Sequence, residues 1–452
     1  EAHKMSAYQY NDTKIEKSKR YKLGEVLSKN SEHLLFLTAT PHKGDPDNFR
    51  LFIDLLQPGF FATNEILQES IEQKDNPLFI RRSKEDLKDF SGKPLFLPRH
   101  VKTIGYNWKT ESQLEMELYN DLSKYVKQQY GRALTKNKKH NVAFALVILQ
   151  RRVASSTYAL YQSLKRRQNK LEDLLAKAES GNISQEAEFS FDETEDMSEE
   201  ERWKEEEIWE TLSVSENREE LKAEIETLKK LQNQAKYIID NNKEIKLNEL
   251  RKTLDNLKVK VESKKIIVFT ESKDTLEYLY KRINNDWGYN AITIHGGMKL
   301  EERSETEKLF KNEDYQVLIA TEAAGEGINL QFCNLMINYD IPWNPNRLEQ
   351  RMGRIHRYGQ QHEVFIYNLV ARNTREGDVL LRLFQKLEEI KDALGNDKVF
   401  DVISEVLSGK NLSQLLIDAA VNARSADEII DELDIEVDEE YISQIKENLG
   451  DT

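Results

Sequence analysis

Short continuous apolar runs alternate with helical patterns over residues 263–394. The runs are KKIIVFT (264–270), AITI (291–294), QVLIA (316–320), LMINY (335–339) and VFIYNLV (364–370). Between them, apolar positions recur at helical spacing over about 273–285, 300–311, 346–357 and 376–394. Strands without polar alternation are strands buried on both faces, so this order predicts a parallel sheet flanked by helices. Right-handed crossovers then make it a doubly wound α/β domain, with ligand sites outside the strand C-termini.

Residues 1–62 read as the end of a second unit of this kind. A helical stretch (17–29) precedes a predicted strand HLLFLT (33–38), a turn ATPHKGDPD and a helix over 48–56. One strand cannot make a sheet, so either it adds to something else or the strand reading fails. Residues 63–107 read as a connector. Residues 108–245 have a different texture: Glu, Lys, Leu and Gln at helical spacing with few breakers predict long helices, as a hairpin or coiled pair. Within them, 181–200 reads as an acidic loop. Residues 246–395 form the complete α/β domain, and 396–452 an acidic helical tail.

Charge changes this picture. The net charge of −14 over 452 residues is uneven. Residues 171–230 carry a net of −14 and residues 401–452 a net of −11, so the other 340 residues carry +11. A basic body with acidic appendages suits a polyanion partner, although a basic excess also merely solvates a surface. The longest apolar run, 142–149, is too short to span a bilayer, and no membrane partner is expected. The single cysteine, Cys333, excludes an internal disulfide framework and a cysteine-based zinc site, and no metal ligands are assigned. It reads as a small buried apolar residue.

The densest candidate chemistry lies in EQRMGRIHRYGQ (349–360). At 100° per residue, Gln350, Arg354 and Arg357 fall near 0°, 40° and 340°, on one face of the predicted helix. Two guanidiniums and an amide form a poor core and a good phosphate clamp. About 25 residues earlier, ATEAAGEGINLQ (320–331) follows a strand directly. There Gly325 and Gly327 permit close backbone approach, and Asn329 offers a donor and an acceptor. The stretch 149–170 adds Arg151, Arg152, Lys165, Arg166 and Arg167, either a nucleic-acid surface or an intramolecular pairing face. The acidic segment 190–210 is either a soluble loop or a mimic of nucleic acid.

Taken in order, LLFLTATPHKG, IIVFTES, HGGM, LIATEAAGEGINLQ and NYDIPWNPNRLEQRMGRIHRYGQ resemble motifs III to VI of superfamily-two helicase-like ATPases. The last run, with PLFIRRSKEDL (77–87), is closest to the bacterial RapA-like group of the Swi/Snf branch. The resemblance covers about 1–105 and 246–395. It implies two RecA-like lobes, the second complete and the first partial, with the long helical region inserted. It also implies ATP and Mg²⁺ as cofactors, nucleic acid as partner, and a bacterial, cytoplasmic, nucleoid-associated location. Double-stranded DNA is the expected nucleic acid, and the insertion or the acidic tail could hold a protein partner.

By the same resemblance, Glu1 is the catalytic base of an Asp-Glu-Ala-His box, and His3 couples that box to the other lobe. Arg354 and Arg357 are arginine fingers, and Gln350, Gly325, Gly327 and Asn329 approach the nucleotide. Thr38, Thr40, Thr270, His295, Gly296 and Thr321 face the nucleic-acid track. The chain has no G-x-x-x-x-G-K-[ST] phosphate loop, which in the family precedes the acidic box. The expectation is that these residues alone do not hydrolyse ATP. Two other readings stay open: a non-catalytic nucleic-acid-binding scaffold, and an RNA or strand-separating helicase.

Overall fold

The computed structural model describes every residue except 1, 3–4, 6, 11–13, 39–45, 73–76, 81–86, 136–138, 178–197, 214, 216, 323–327, 395–411, 421–423 and 434–452. In chain order there is a hairpin of β1 (Ala7–Tyr10) and β2 (Lys14–Lys17), then α1 (Lys19–Asn30), α2 (Pro46–Asp54) and α3 (Asn64–Glu72). Strand β3 (Arg99–Asn107) and the single turn α4 (Trp108–Glu111) lead into α5 (Gln113–Thr135), α6 (Lys139–Ser155) and α7 (Thr157–Lys177). Helices α8 (Glu199–Trp209), α9 (Arg218–Asp240) and α10 (Ile245–Asn256) follow. The α/β region runs β4 (Ile266–Phe269), α11 (Lys273–Lys281), β5 (Ala291–Ile294), α12 (Leu300–Asn312), β6 (Val317–Ala320), β7 (Leu335–Asn338), α13 (Pro345–Ile355), β8 (Val364–Arg372) and α14 (Arg375–Leu394). Two short helices, α15 (Leu412–Ala420) and α16 (Ala426–Leu433), close it.

All six strands of the main sheet are parallel, in the order β3-β8-β7-β4-β6-β5. Every residue of β4, β6 and β7 is buried, as expected for central strands covered on both faces. After β6 the chain crosses to the far side of β4 to lay down β7. That reversal puts the topological switch point at the C-terminal end of β4, where open parallel sheets place their ligands.

Three sequence-based expectations change. Residues 63–107 are more than a connector, because β3 pairs with β8 along nine residues, Arg99 opposite Val364 through Asn107 opposite Arg372. It is an edge strand with no continuous apolar run, because Arg99, His100, Lys102 and Thr103 interrupt it, so a search for such runs passes over it. The helical region is not a separate unit. Leu122, Leu164 and Leu228 of the insertion belong to the same buried cluster as Ile267 and Ile319 of the sheet. The predicted strand at 33–38 does not form among the described residues. Phe36 stacks on Phe52 at 5.2 Å, while Leu35 and Leu37 are 80% and 69% exposed. This N-terminal part has its own small core of Tyr21, Phe49, Phe52, Leu55 and Phe61. Of the predicted acidic loop (181–200) only 198–200 are described, and they form the cap and first residues of α8 rather than a loop; most of the acidic tail lies outside the described residues.

Glu115 ties α5 to α10, accepting the Ile245 amide at 3.0 Å. Burial pushes its carboxyl up to about 8 from 4.5, against the help of that amide. A folded-state value above the unfolded one gives stability that is full below about 4.5 and is lost as pH rises towards about 8. Burial lowers its neighbour Lys246 to about 8, so Lys246 titrates above that window. Thermal melts between about pH 5 and 8 should therefore fall for the wild type and fall less for Glu115→Gln. Parallel curves would remove Glu115 from the effect.

Candidate nucleotide and nucleic-acid site

Helix α13 opens at Pro345, a residue suited to a first turn because it lacks the amide that would go unpaired there. Its cationic residues recur at i, i+4 and i+7: Arg347, Arg351 and Arg354 share a face with Gln350. That face meets the strand C-termini. Arg351 is buried and donates to Glu322 at 2.5 Å and to the Asp340 carbonyl at 2.7 Å. Arg347 donates to Glu271 at 3.3 Å. Gln350 and Arg354 are half-buried on either side of this anchor.

The helix ends at Ile355, two residues short of the predicted end. His356 closes the last turn to Met352 at 3.0 Å, and its ring bonds the Leu97 carbonyl at 2.9 Å. Arg357 therefore leaves the helix, half-buried, and the one-face argument holds for Gln350 and Arg354 but not for Arg357.

Sequence reasoning missed the acids that face α13. Each stands immediately after a central strand or the residue following it: Glu271 behind Thr270, Glu322 behind Thr321, and Asp340 behind Tyr339. The repeated Thr-Glu pair after β4 and β6 was a usable signal. Asp340 accepts from Thr270 and Ser155 at 2.6 Å each and from the Glu271 amide at 2.8 Å. Helices α6 and α8 complete the network. Arg151 bridges Glu206 and Glu271 at 3.2 Å each, Arg152 reaches Glu206 at 2.8 Å, and Arg202 reaches Glu322 at 3.6 Å. Burial opposes ionisation of Glu206, but Arg152, Arg151 and Arg202 outweigh it and hold the carboxyl below its usual range.

The basic stretch 149–170 thus faces inward. Arg166 pairs with Glu210 and with Asp274 at 2.8 Å, and Arg167 pairs with Glu224 at 2.9 Å; only Lys165 of the five is exposed. Its nucleic-acid reading is set aside, because four guanidiniums are already committed to carboxylates.

Among the residues expected to touch nucleic acid, Thr270, His295, Gly296 and Thr321 cluster at the ends of β4, β5 and β6. None is open to solvent as a bare surface. Thr270 and Thr321 are fully buried, the first hydroxyl committed to Asp340 and the second to Glu199 of α8 at 2.9 Å. Trp203 lies 6.2 Å from the His295 ring and donates to the Glu271 carbonyl at 3.3 Å. Burial, then Lys273, lowers His295 from its usual value, so it is neutral near pH 7. Asn329 is exposed and caps its own loop, accepting the Gln331 amide at 3.2 Å. Thr38 is half-buried in the N-terminal part. Glu1, His3, Thr40, Gly325 and Gly327 lie outside the described residues. Among the described residues, no three or more His, Cys, Asp or Glu side chains converge as a metal site, so no Mg²⁺ ligands are assigned.

Residues 245–359, from α10 to just past α13, match the helicase conserved C-terminal domain. The chain is 30% identical over 415 residues to the uncharacterized ATP-dependent helicase YqhH of Bacillus subtilis (strain 168), across 90% of this chain and 60% of that protein. The similarity is to ATP-dependent helicases, and it includes the stretch that carries the strand ends and the arginine helix. The RNA polymerase-associated protein RapA of Vibrio atlanticus (strain LGP32) is 34% identical over 161 residues, 34% of this chain and 16% of that protein. The C-terminal part of the Fun30 ATPase domain aligns at a TM-score of 0.40 and 19% identity, over 73% of this chain and 98% of that one. This helicase-like chain thus spans less than two thirds of the length of these curated relatives. The six-stranded parallel sheet is the doubly wound α/β arrangement expected from the sequence. The domain match contains β4 to α13, and so the strand ends and the arginine helix. It excludes β3 and helices α5 to α9, of which α6 and α8 send Arg151, Arg202 and Glu199 to those strand ends.

Proposed function

We propose that this chain supplies the arginine-bearing side of the ATP site and part of the track in an ATP-driven double-stranded DNA translocase. The observation that carries the reading is the placement of α13. It sits over the strand C-termini, uses Arg347 and Arg351 to lock itself to Glu271, Glu322 and Asp340, and leaves Gln350 and Arg354 flanking that anchor. The donor set fits a triphosphate, because guanidinium forks match phosphate oxygens and keep their charge. Arg354 and Arg357 would neutralise charge developing on the γ-phosphate, Gln350 would hold it in line, and Gly325, Gly327 and Asn329 would approach the nucleotide. Glu1 would orient the attacking water and His3 would report its state. Thr38, Thr40, Thr270, His295, Gly296 and Thr321 would follow the nucleic-acid backbone, where phosphate contacts carry no sequence information.

The test is ATP hydrolysis by the complete enzyme with duplex DNA, single-stranded DNA or RNA added. Duplex DNA is expected to stimulate turnover at least about tenfold over the protein alone, a change of 1.4 kcal/mol in the barrier. Displacement of a third strand from a triplex then reports movement. Stimulation by RNA alone would replace this reading with an RNA helicase, and no stimulation by any polymer would leave a scaffold.

A further inference from the structure

Helix α8 carries three acids in its first turn, Glu199, Glu200 and Glu201, opened by a capping box in which Ser198 and Glu201 satisfy each other's amides. Ser198, Glu200 and Glu201 are exposed, whereas Glu199 lies on the lobe. The Glu199 carboxylate takes the Thr321 hydroxyl at 2.9 Å. It also presses on Gly296 so closely that a Cβ there would stand 2.8 Å from Glu199. The surroundings are mixed in charge: near His295, Lys273 and Arg303 stand with Glu277 and Glu302. Arg303 holds the Gly296 and Met298 carbonyls at 3.0 Å each, Lys273 is exposed beside His295, and the same lysine helps keep Glu200 ionised after its main partner Lys204. Arg20 of the N-terminal part contributes likewise to Glu201.

A hydroxyl donor, a glycine that admits close backbone approach, and two basic side chains, Lys273 and Arg303, near a strand C-terminus are parts of a phosphate seat. Here a carboxylate of the same chain occupies that seat. We infer that the first turn of α8 is a built-in competitor: Glu199 stands where a nucleic-acid phosphate binds, and nucleic acid must displace it to reach Thr321 and Gly296. The inference rests on the nucleic-acid reading proposed above. The rest of α8 does not have to move. Trp203, Glu206 and Trp209 are buried, and Glu206 is clamped by Arg151 and Arg152, so only the exposed end from Ser198 to Glu201 has to swing or unwind. A helix end frays at far lower cost than a helix interior.

The experiment measures duplex-DNA affinity of the chain by fluorescence anisotropy for the wild type, Glu199→Ala, Glu199→Gln and a control, Glu207→Ala. Glu207 is an exposed acid on the same helix, away from the contact. If the closed form outnumbers the open form by about ten to one, Glu199→Ala should bind about tenfold tighter. Glu199→Gln, which keeps the shape and loses the charge, should fall between, and Glu207→Ala should match the wild type. Saturating duplex should also speed hydrogen exchange at the amides of 199–201 in the wild type. Equal affinity in all four proteins, or an equal gain from Glu207→Ala, overturns the competitor while leaving the nucleic-acid reading standing. Failure of every protein to bind nucleic acid overturns both.

Discussion

Alanine at Arg354 is expected to lower nucleic-acid-stimulated ATP turnover of the complete enzyme by roughly 10³–10⁵-fold, the range over which an arginine finger acts. The reason is positional. Arg354 lies one turn beyond Gln350 and beside Arg351, whose double commitment to Glu322 and Asp340 fixes the helix against the strand ends. In the proposed role, Arg354 would stabilise transition-state charge from a helix already fixed to the strand ends, so the loss should appear in kcat more than in KM. Lysine at 354 keeps the charge and loses the fork, and should restore only a small part. Duplex affinity of the variant should match the wild type. Wild-type turnover in Arg354→Ala, measured by steady-state phosphate release, would sink the assignment. Arg357→Ala is informative beside it, because that residue stands outside the helix and its side chain is placed by a loop.

Replacing Arg167 with alanine should cost about 3–5 kcal/mol of stability, the usual penalty for orphaning one member of a buried ion pair. Arg167 is fully buried. It donates to Glu224 at 2.9 Å, to the Tyr125 hydroxyl at 2.8 Å and to the Glu210 carbonyl at 2.7 Å. It thereby links α5, α7 and α9 to the end of α8. Burial opposes ionisation of Glu224, while Arg167 and the hydroxyls of Ser213, Tyr125 and Ser215 hold its carboxyl below the usual range. Without the guanidinium that balance is lost. The double variant Arg167→Met with Glu224→Gln should recover most of the loss, since the charge left behind is removed with its partner. Chemical denaturation of the two single variants and the double variant measures this. A double variant as unstable as the worse single variant would mean that packing, not charge, is at stake. The duplex-binding assay on Arg167→Ala adds a further readout. Arg167 fixes Glu210, one residue past the end of α8, so loosening it should also weaken the hold of Glu199 on Thr321.

The central strands were legible because burial on both faces leaves a continuous apolar run, and IIVF, VLIA and LMIN are such runs. Strand β3 was illegible because RHVKTIGYN holds neither a continuous apolar run nor a regular alternation, and its partner β8 lies more than 250 residues away. The segment 33–38 failed for the opposite reason: its pattern satisfies a strand locally, but a strand exists only when a neighbour supplies the hydrogen bonds. Gln350 and Arg354 were found from helix periodicity, whereas Arg347 and Arg351 were passed over. Their role depends on Glu271, Glu322 and Asp340, which three separate turns of chain deliver to one point.

By itself, the chain's amino-acid order determined the kind of sheet, the helices between its strands and the resemblance to helicase motifs, because these follow from local periodicity and from motifs read along the polymer. Only the tertiary structure decided that the inserted helices share the lobe's core, that their arginines answer the lobe's carboxylates, and that Glu199 rests on Thr321 and Gly296. Those facts are pairings between charges and hydroxyls far apart in the chain. A charge carries no periodic signature of its partner, so its role appears only when folding brings the two together in a medium too dry to leave either alone.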